Sequence, residues 1–254
     1  MNAIRQDVPV TDAPAALPPL PRRLLAEFLG TGTLVATVVG SGIAAQRLSP
    51  DDVGLQLLEN SIATALVLAV LIAVFIGLSG AHFNPAVTLV VAALDGRAAR
   101  PGAVVGYLAA QILGAIGGAL LANAMFGVPT GVATTERVSP GTLLGEVVAT
   151  AGLVLVILVL ARSGRERVIP LAVAGWIGAA YWFTSSTSFA NPAVTLGRIV
   201  TDTFAGIAPG SAGWFILAQL VGAAIGLGLA LVLAPRPTRL SRPTAPDHLV
   251  KEKS

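Results

Sequence analysis

Ser79-Gly80-Ala81-His82-Phe83-Asn84-Pro85-Ala86-Val87-Thr88 and Ser188-Phe189-Ala190-Asn191-Pro192-Ala193-Val194-Thr195 decide the fold. Each carries Asn-Pro-Ala and runs into apolar sequence. Asparagine is a favoured N-cap and proline a favoured first helical residue, so each copy marks a helix start. About ten apolar residues follow, roughly 15 Å of helix at about 1.5 Å per residue. That is half of a bilayer core about 30 Å thick. Two capped half-helices in an apolar chain place two helix N-termini at a membrane midplane, with their positive ends facing a polar path.

Working outward, six long apolar segments flank these motifs, at about 24–45, 55–78, 103–126, 142–161, 168–184 and 212–234. The half-spans, about 84–94 and 191–201, follow the second and fifth. The expected fold is an all-α membrane protein of six transmembrane helices plus two re-entrant half-helices. Residues 1–21 and 235–254 read as disordered tails around a channel domain at 22–234. The chain is 54% hydrophobic and only 11% charged, against about a quarter charged in soluble domains. With no cysteine, disulfides, thiolate metal sites and thiol nucleophiles are excluded. No metal cluster, phosphate loop or nucleophile–base pair is legible, so an enzyme is not expected, and no cofactor or metal. The net charge of +3 reads as a topology signal rather than as a nucleic-acid surface. Of the basic residues, only Arg47, Arg137 and Arg198 fall on the side away from the tails. That asymmetry places both termini in the cytoplasm.

The chain is internally duplicated, about 22–126 and 141–234. Ala110-Gln111-Ile112-Leu113-Gly114-Ala115 matches Ala218-Gln219-Leu220-Val221-Gly222-Ala223, and Glu27 is matched by Glu146. Three spans per repeat, an odd number, make the repeats inverted, which locates the functional site at the broken helices. Gly114 and Gly118, and Gly222 and Gly226, have the spacing of close helix approach. They are expected where the third and sixth spans cross.

These features resemble the aquaporin, or major intrinsic protein, family over about residues 22–234. The resemblance implies a right-handed bundle, a homotetramer with one pore per protomer, and passage of small neutral solutes across a lipid bilayer. It implies that the amides of Asn84 and Asn191 donate to the solute at the pore midplane. The ionisable pair Glu27 and Glu146 has two readings. One is a proton relay, hence a proton-coupled transporter. The other, which the family's usage favours, is that each carboxylate accepts backbone hydrogen bonds beneath a re-entrant loop. A closed-pore structural membrane protein is a further alternative. His82 is expected to line the cytoplasmic half of the pore.

Most of the family carries Arg directly after the second Asn-Pro-Ala; here it is Val194. The motif spacing adds Thr64, Ala179 and Ser188 as the other filter positions. Small, uncharged side chains at all four predict a wide filter with few donors. Arg198, one turn on, is expected as an outer-vestibule charge, the alternative being that it reaches back into the filter. The variant motif resembles a bacterial aquaglyceroporin-like branch linked to arsenic resistance. Arsenous acid, uncharged and polyol-like at neutral pH, is then an expected solute, with methylated arsenicals, glycerol, urea and water. The expected location is a bacterial cytoplasmic membrane.

Overall fold

The computed structural model describes residues 18–96 and 99–234. Most of both expected tails therefore lies outside the described residues. Eight α-helices are found in chain order: α1 Leu20–Leu48, α2 Val53–Ser79, α3 Pro85–Asp95, α4 Pro101–Phe126, α5 Pro140–Arg162, α6 Ile169–Phe183, α7 Pro192–Gly197 and α8 Pro209–Leu233. Helices α1, α2, α4, α5 and α8 are long and apolar enough to cross a membrane. Helix α6 is shorter, 15 residues, and a 3-10 turn at Glu166–Val168 leads into it.

Proline opens seven of the eight helices at the first or second position. Its missing N–H falls where no intrahelical acceptor exists. Asp52 and Ser139 cap α2 and α5 with side-chain oxygens. Helix α1 already starts at Leu20, inside the segment expected to be tail. Helix α7 is the larger difference. Its α-helical part has six residues and then tightens into a 3-10 turn at Arg198–Val200. The expected ten-residue half-helix is therefore a short helix with a tapered end.

The glycine spacing also finds its partners, and they differ from the expected ones. A Cβ on Gly114 would lie 2.4 Å from Phe28 O, and one on Gly118 2.1 Å from Gly32 O. A Cβ on Gly222 would lie 2.5 Å from Val147 O, and one on Gly226 2.4 Å from Ala151 O. The third span thus seats on α1 and the sixth on α5, each within its own repeat. The third and sixth spans are not each other's principal neighbours. Spacing shows that a backbone can approach closely, not which backbone it meets.

The repeats meet through α2 with α6, through α4 with α7, and through α3 with α8. One end of the bundle, the tail face, carries the start of α1 and the end of α8. The opposite loop face carries the turn at 49–52 and the segments 127–139 and 201–208.

Candidate functional site

The site is built on the two segments that precede the half-helices. In the first, Gly80, Ala81 and Phe83 have φ of 90°, 50° and 48°. In the second, Thr187, Ser188 and Ala190 have 59°, 51° and 49°. The same three places, 107 residues apart, thus take left-handed backbone in both repeats, although only one of the six is glycine. Non-glycine residues persist there only when their surroundings hold them.

Glu27 and Glu146 supply that hold. Both are fully buried. Glu27 accepts from Ser79 Oγ at 2.6 Å, His82 N at 3.0 Å, Phe83 N at 2.7 Å and Gln111 Nε2 at 2.8 Å. Glu146 accepts from Phe189 N and Ala190 N, both at 2.8 Å, and from Gln219 Nε2 at 2.6 Å. Fixed donors surround each carboxylate, and the backbone N–H groups beneath each loop have their acceptor. Gln111 and Gln219 also donate to Thr88 Oγ1 and Thr195 Oγ1, at 2.8 and 2.9 Å. They tie each loop to its half-helix, a role not seen in the sequence. The available signal was a polar residue at matching places in two apolar spans.

Asn84 Oδ1 accepts from Ala86 N at 2.9 Å. Asn191 Oδ1 accepts from Ala193 N at 2.9 Å and Val194 N at 3.2 Å. Both side chains therefore cap their half-helices. Asn84 Nδ2 donates to Ala190 O, and Asn191 Nδ2 to Phe83 O, each at 2.8 Å. An amide nitrogen carries two hydrogens, so each asparagine keeps one beyond this cross-tie.

A cavity of about 250 Å³ runs past both asparagines. At the tail face it is lined by Ile76, Ala161 and Ile169, and at its other end by Thr64, Tyr181, Ser188, Val194 and Arg198. Its middle is walled by aliphatic side chains such as Leu68, Ile72 and Val173, with polar groups contributed by the two loops. His82 also lines it, with Nδ1 3.1 Å from Thr88 Oγ1. Thr64, Ser188 and Val194 all line this cavity.

Ala179 does not line it. Ala179 is exposed on the outside of α6, while Ile177 and Tyr181 face the cavity. A two-residue offset on a helix turns a side chain by roughly 200°, so spacing alone chose the wrong face. Tyr181 brings a phenol where a methyl group was expected, and its OH donates to Thr64 Oγ1 at 3.2 Å. The end of the cavity thus carries three hydroxyls, on Thr64, Tyr181 and Ser188. The Ser188 Oγ has no partner among the described residues.

Arg198 is not an exposed vestibule charge. It is 4% exposed. Its Nε donates to Ala205 O, and its guanidinium lies 3.5 Å from the centre of the Phe189 ring. It lines the cavity just described and also a second one that opens at the loop face. The side chain therefore stands at the junction of the two. The 3-10 turn that shortens α7 is the element that carries it there.

An apolar bundle with paired half-helices around a cavity that runs past both asparagines defines a membrane channel for small solutes. The comparisons agree. A family model described as Major intrinsic protein matches residues 17–188. The aquaglyceroporin AqpS of Rhizobium meliloti (strain 1021) is 49% identical over 229 residues, 90% of this chain and 97% of that protein. Aquaporin Z of Brucella melitensis biotype 1 is 32% identical over 228 residues, 80% of this chain and 94% of that protein. In fold, the X-ray structure of the aquaglyceroporin from Plasmodium falciparum matches with a TM-score of 0.63 at 22% identity, over 83% of this chain and 95% of that one. The chain belongs to the major intrinsic protein family and is a channel, not an enzyme.

Proposed function

We propose that this channel passes small uncharged polyhydroxy solutes passively, with metalloid acids such as arsenous acid as its main cargo. Methylated arsenicals, glycerol, urea and water are further solutes. The observation that carries the reading is the end of the cavity at Val194. An aliphatic side chain stands where most of the family has a guanidinium, and hydroxyls of Thr64, Tyr181 and Ser188 stand around it. Hydroxyls both donate and accept, so they match a solute that is itself a cluster of hydroxyls. The likeness to a protein named as an aquaglyceroporin supports cargo larger than water. Asn84 and Asn191 offer the midplane donors.

Passive passage is favoured over proton coupling by the state of Glu27 and Glu146. Each carboxylate is spent on fixed donors beneath its loop, and neither lines the cavity. We further propose that the tail face is cytoplasmic, in a bacterial cytoplasmic membrane, and that the chain assembles as a homotetramer. Uptake of arsenite and glycerol into proteoliposomes tests the reading. Flux should follow the solute's own gradient and ignore an imposed pH gradient. Proton-driven accumulation against that gradient would replace the channel with a coupled transporter.

A further inference from the structure

Beyond Arg198 the bundle opens at the loop face into a second cavity of about 740 Å³. Arg47, Arg137 and Arg198 all line it, and Asp202 is its one acidic lining residue. Asp202 is engaged with Thr134 N and Oγ1 at 2.9 and 3.0 Å. Glu136, the chain neighbour of Arg137, accepts from Ser211 Oγ at 2.6 Å. Every hydrogen bond that Arg137 and Arg198 donate from their side chains among the described residues goes to a neutral carbonyl. Arg137 donates from Nε to Gly206 O at 2.7 Å and from Nη2 to Phe204 O at 2.8 Å. Arg198 donates from Nε to Ala205 O. Both guanidinium groups also lie against the Phe189 ring, at 5.5 and 3.5 Å from its centre.

The simplest role for these arginines is to staple the turn at 204–206. That role uses one edge of each fork. Both Nη groups of Arg198 and Nη1 of Arg137 keep no protein acceptor among the described residues. Arg198 is a buried charge, which is ordinarily paired, and partial burial lowers the Arg137 pKa. Two guanidinium forks with free N–H groups that line one cavity match the oxygens of a tetrahedral oxyanion.

We propose that Arg137 and Arg198 form a binding site for a small tetrahedral oxyanion, phosphate or arsenate in class, at the loop-face mouth. The bound anion sits across the way past Arg198. It is held rather than passed, because the aliphatic wall of the inner cavity offers no replacement for its hydration shell. The site itself is independent of the proposed cargo; only its effect on flux rests on that reading.

The test titrates inorganic phosphate into the full-length protein in detergent, in a gluconate buffer, and follows 31P line width and binding heat. Wild type should bind with a dissociation constant on the order of millimolar. Arg137→Gln and Arg198→Gln should each weaken binding by about tenfold or more. Arg47→Gln is the control: Arg47 lines the same cavity but donates to Phe126 O at 2.7 Å and lies against that ring. It should change binding by less than about twofold. If a Gln variant does not fold, Lys at that position keeps the charge and loses the planar fork, and binding should still fall. No binding to wild type, or equal binding in the Arg137 and Arg198 variants, overturns the proposal. In proteoliposomes, phosphate on both sides should at least halve water permeability of wild type and leave Arg137→Gln unaffected. Passive flux without phosphate binding removes only the oxyanion site; phosphate binding without solute flux removes only the channel cargo reading.

Discussion

Asn84 and Asn191 each donate across the bundle to the carbonyl that immediately precedes the other: Asn84 to Ala190 O and Asn191 to Phe83 O, both at 2.8 Å. The two half-helix starts are therefore one hydrogen-bonded unit. Each side chain caps its own helix with its oxygen and ties the opposite loop with its nitrogen.

This double duty separates by substitution. Asn191→Leu removes cap and cross-tie together. A lost cap costs roughly 0.5–2 kcal/mol, and Phe83 O loses its donor. Asn191→Ser keeps a capping oxygen but is too short to reach Phe83. Thermal unfolding in detergent should rank wild type above Ser and Ser above Leu, while stopped-flow solute flux should fall in both variants. Equal stability of Ser and Leu would show that the cap contributes nothing.

The acids are predicted to act as clamps. Glu27→Leu leaves His82 N and Phe83 N without an acceptor, each costing about 1–3 kcal/mol. Expression of folded protein and its melting temperature should drop together. Glu27→Gln keeps one acceptor oxygen but turns an amide NH2 toward the donors at the other, so it should melt between wild type and Leu and still transport without regard to a pH gradient. Loss of transport in a well-folded Gln variant would revive a protonation step.

Val194→Arg adds a second guanidinium within a turn of Arg198. The cavity end narrows, and two like charges face the same hydroxyl ring. Glycerol and arsenite permeability should fall well below wild type at matched protein density, with water reduced less. Equal passage of the larger solutes would show that position 194 does not border the constriction.

Gly118→Val should abolish folding, because its Cβ would sit 2.1 Å from Gly32 O, a backbone atom that cannot swing away. Gly117→Ala, where nothing lies within 4 Å, is the matched control and should leave the melting temperature within about 1 kcal/mol equivalent of wild type. A folded, active Gly118→Val would mean that α1 and α4 do not pack as described.

The half-helices and their caps were legible because Asn and Pro state their positions locally, and the duplication was legible because Gln111 and Glu27 recur. Helix α6 was not: it is apolar nearly all round, so no polar face marks which side meets the cavity, and Ala179 was taken for Tyr181. Arg198 was misplaced for another reason. The switch from α to 3-10 after Gly197 depends on packing around 198–207, where Ile207 N bonds to Arg198 O. No local pattern in Ile-Val-Thr-Asp announces it. The glycine pairs were visible as close-approach positions, but their partners are tertiary information.

Those glycine contacts also set an order in time. Helix α4 seats on α1 and α8 on α5, so the tightest backbone approaches are closed within one repeat. A nascent chain can lock its first three spans together while the later ones are still being synthesised. The Asn84 amide, by contrast, waits for Ala190 to arrive. Severing the chain in the 127–139 segment and co-expressing the halves should therefore restore a complete channel, whereas the amino-terminal half alone should insert, pack and remain without a finished midplane.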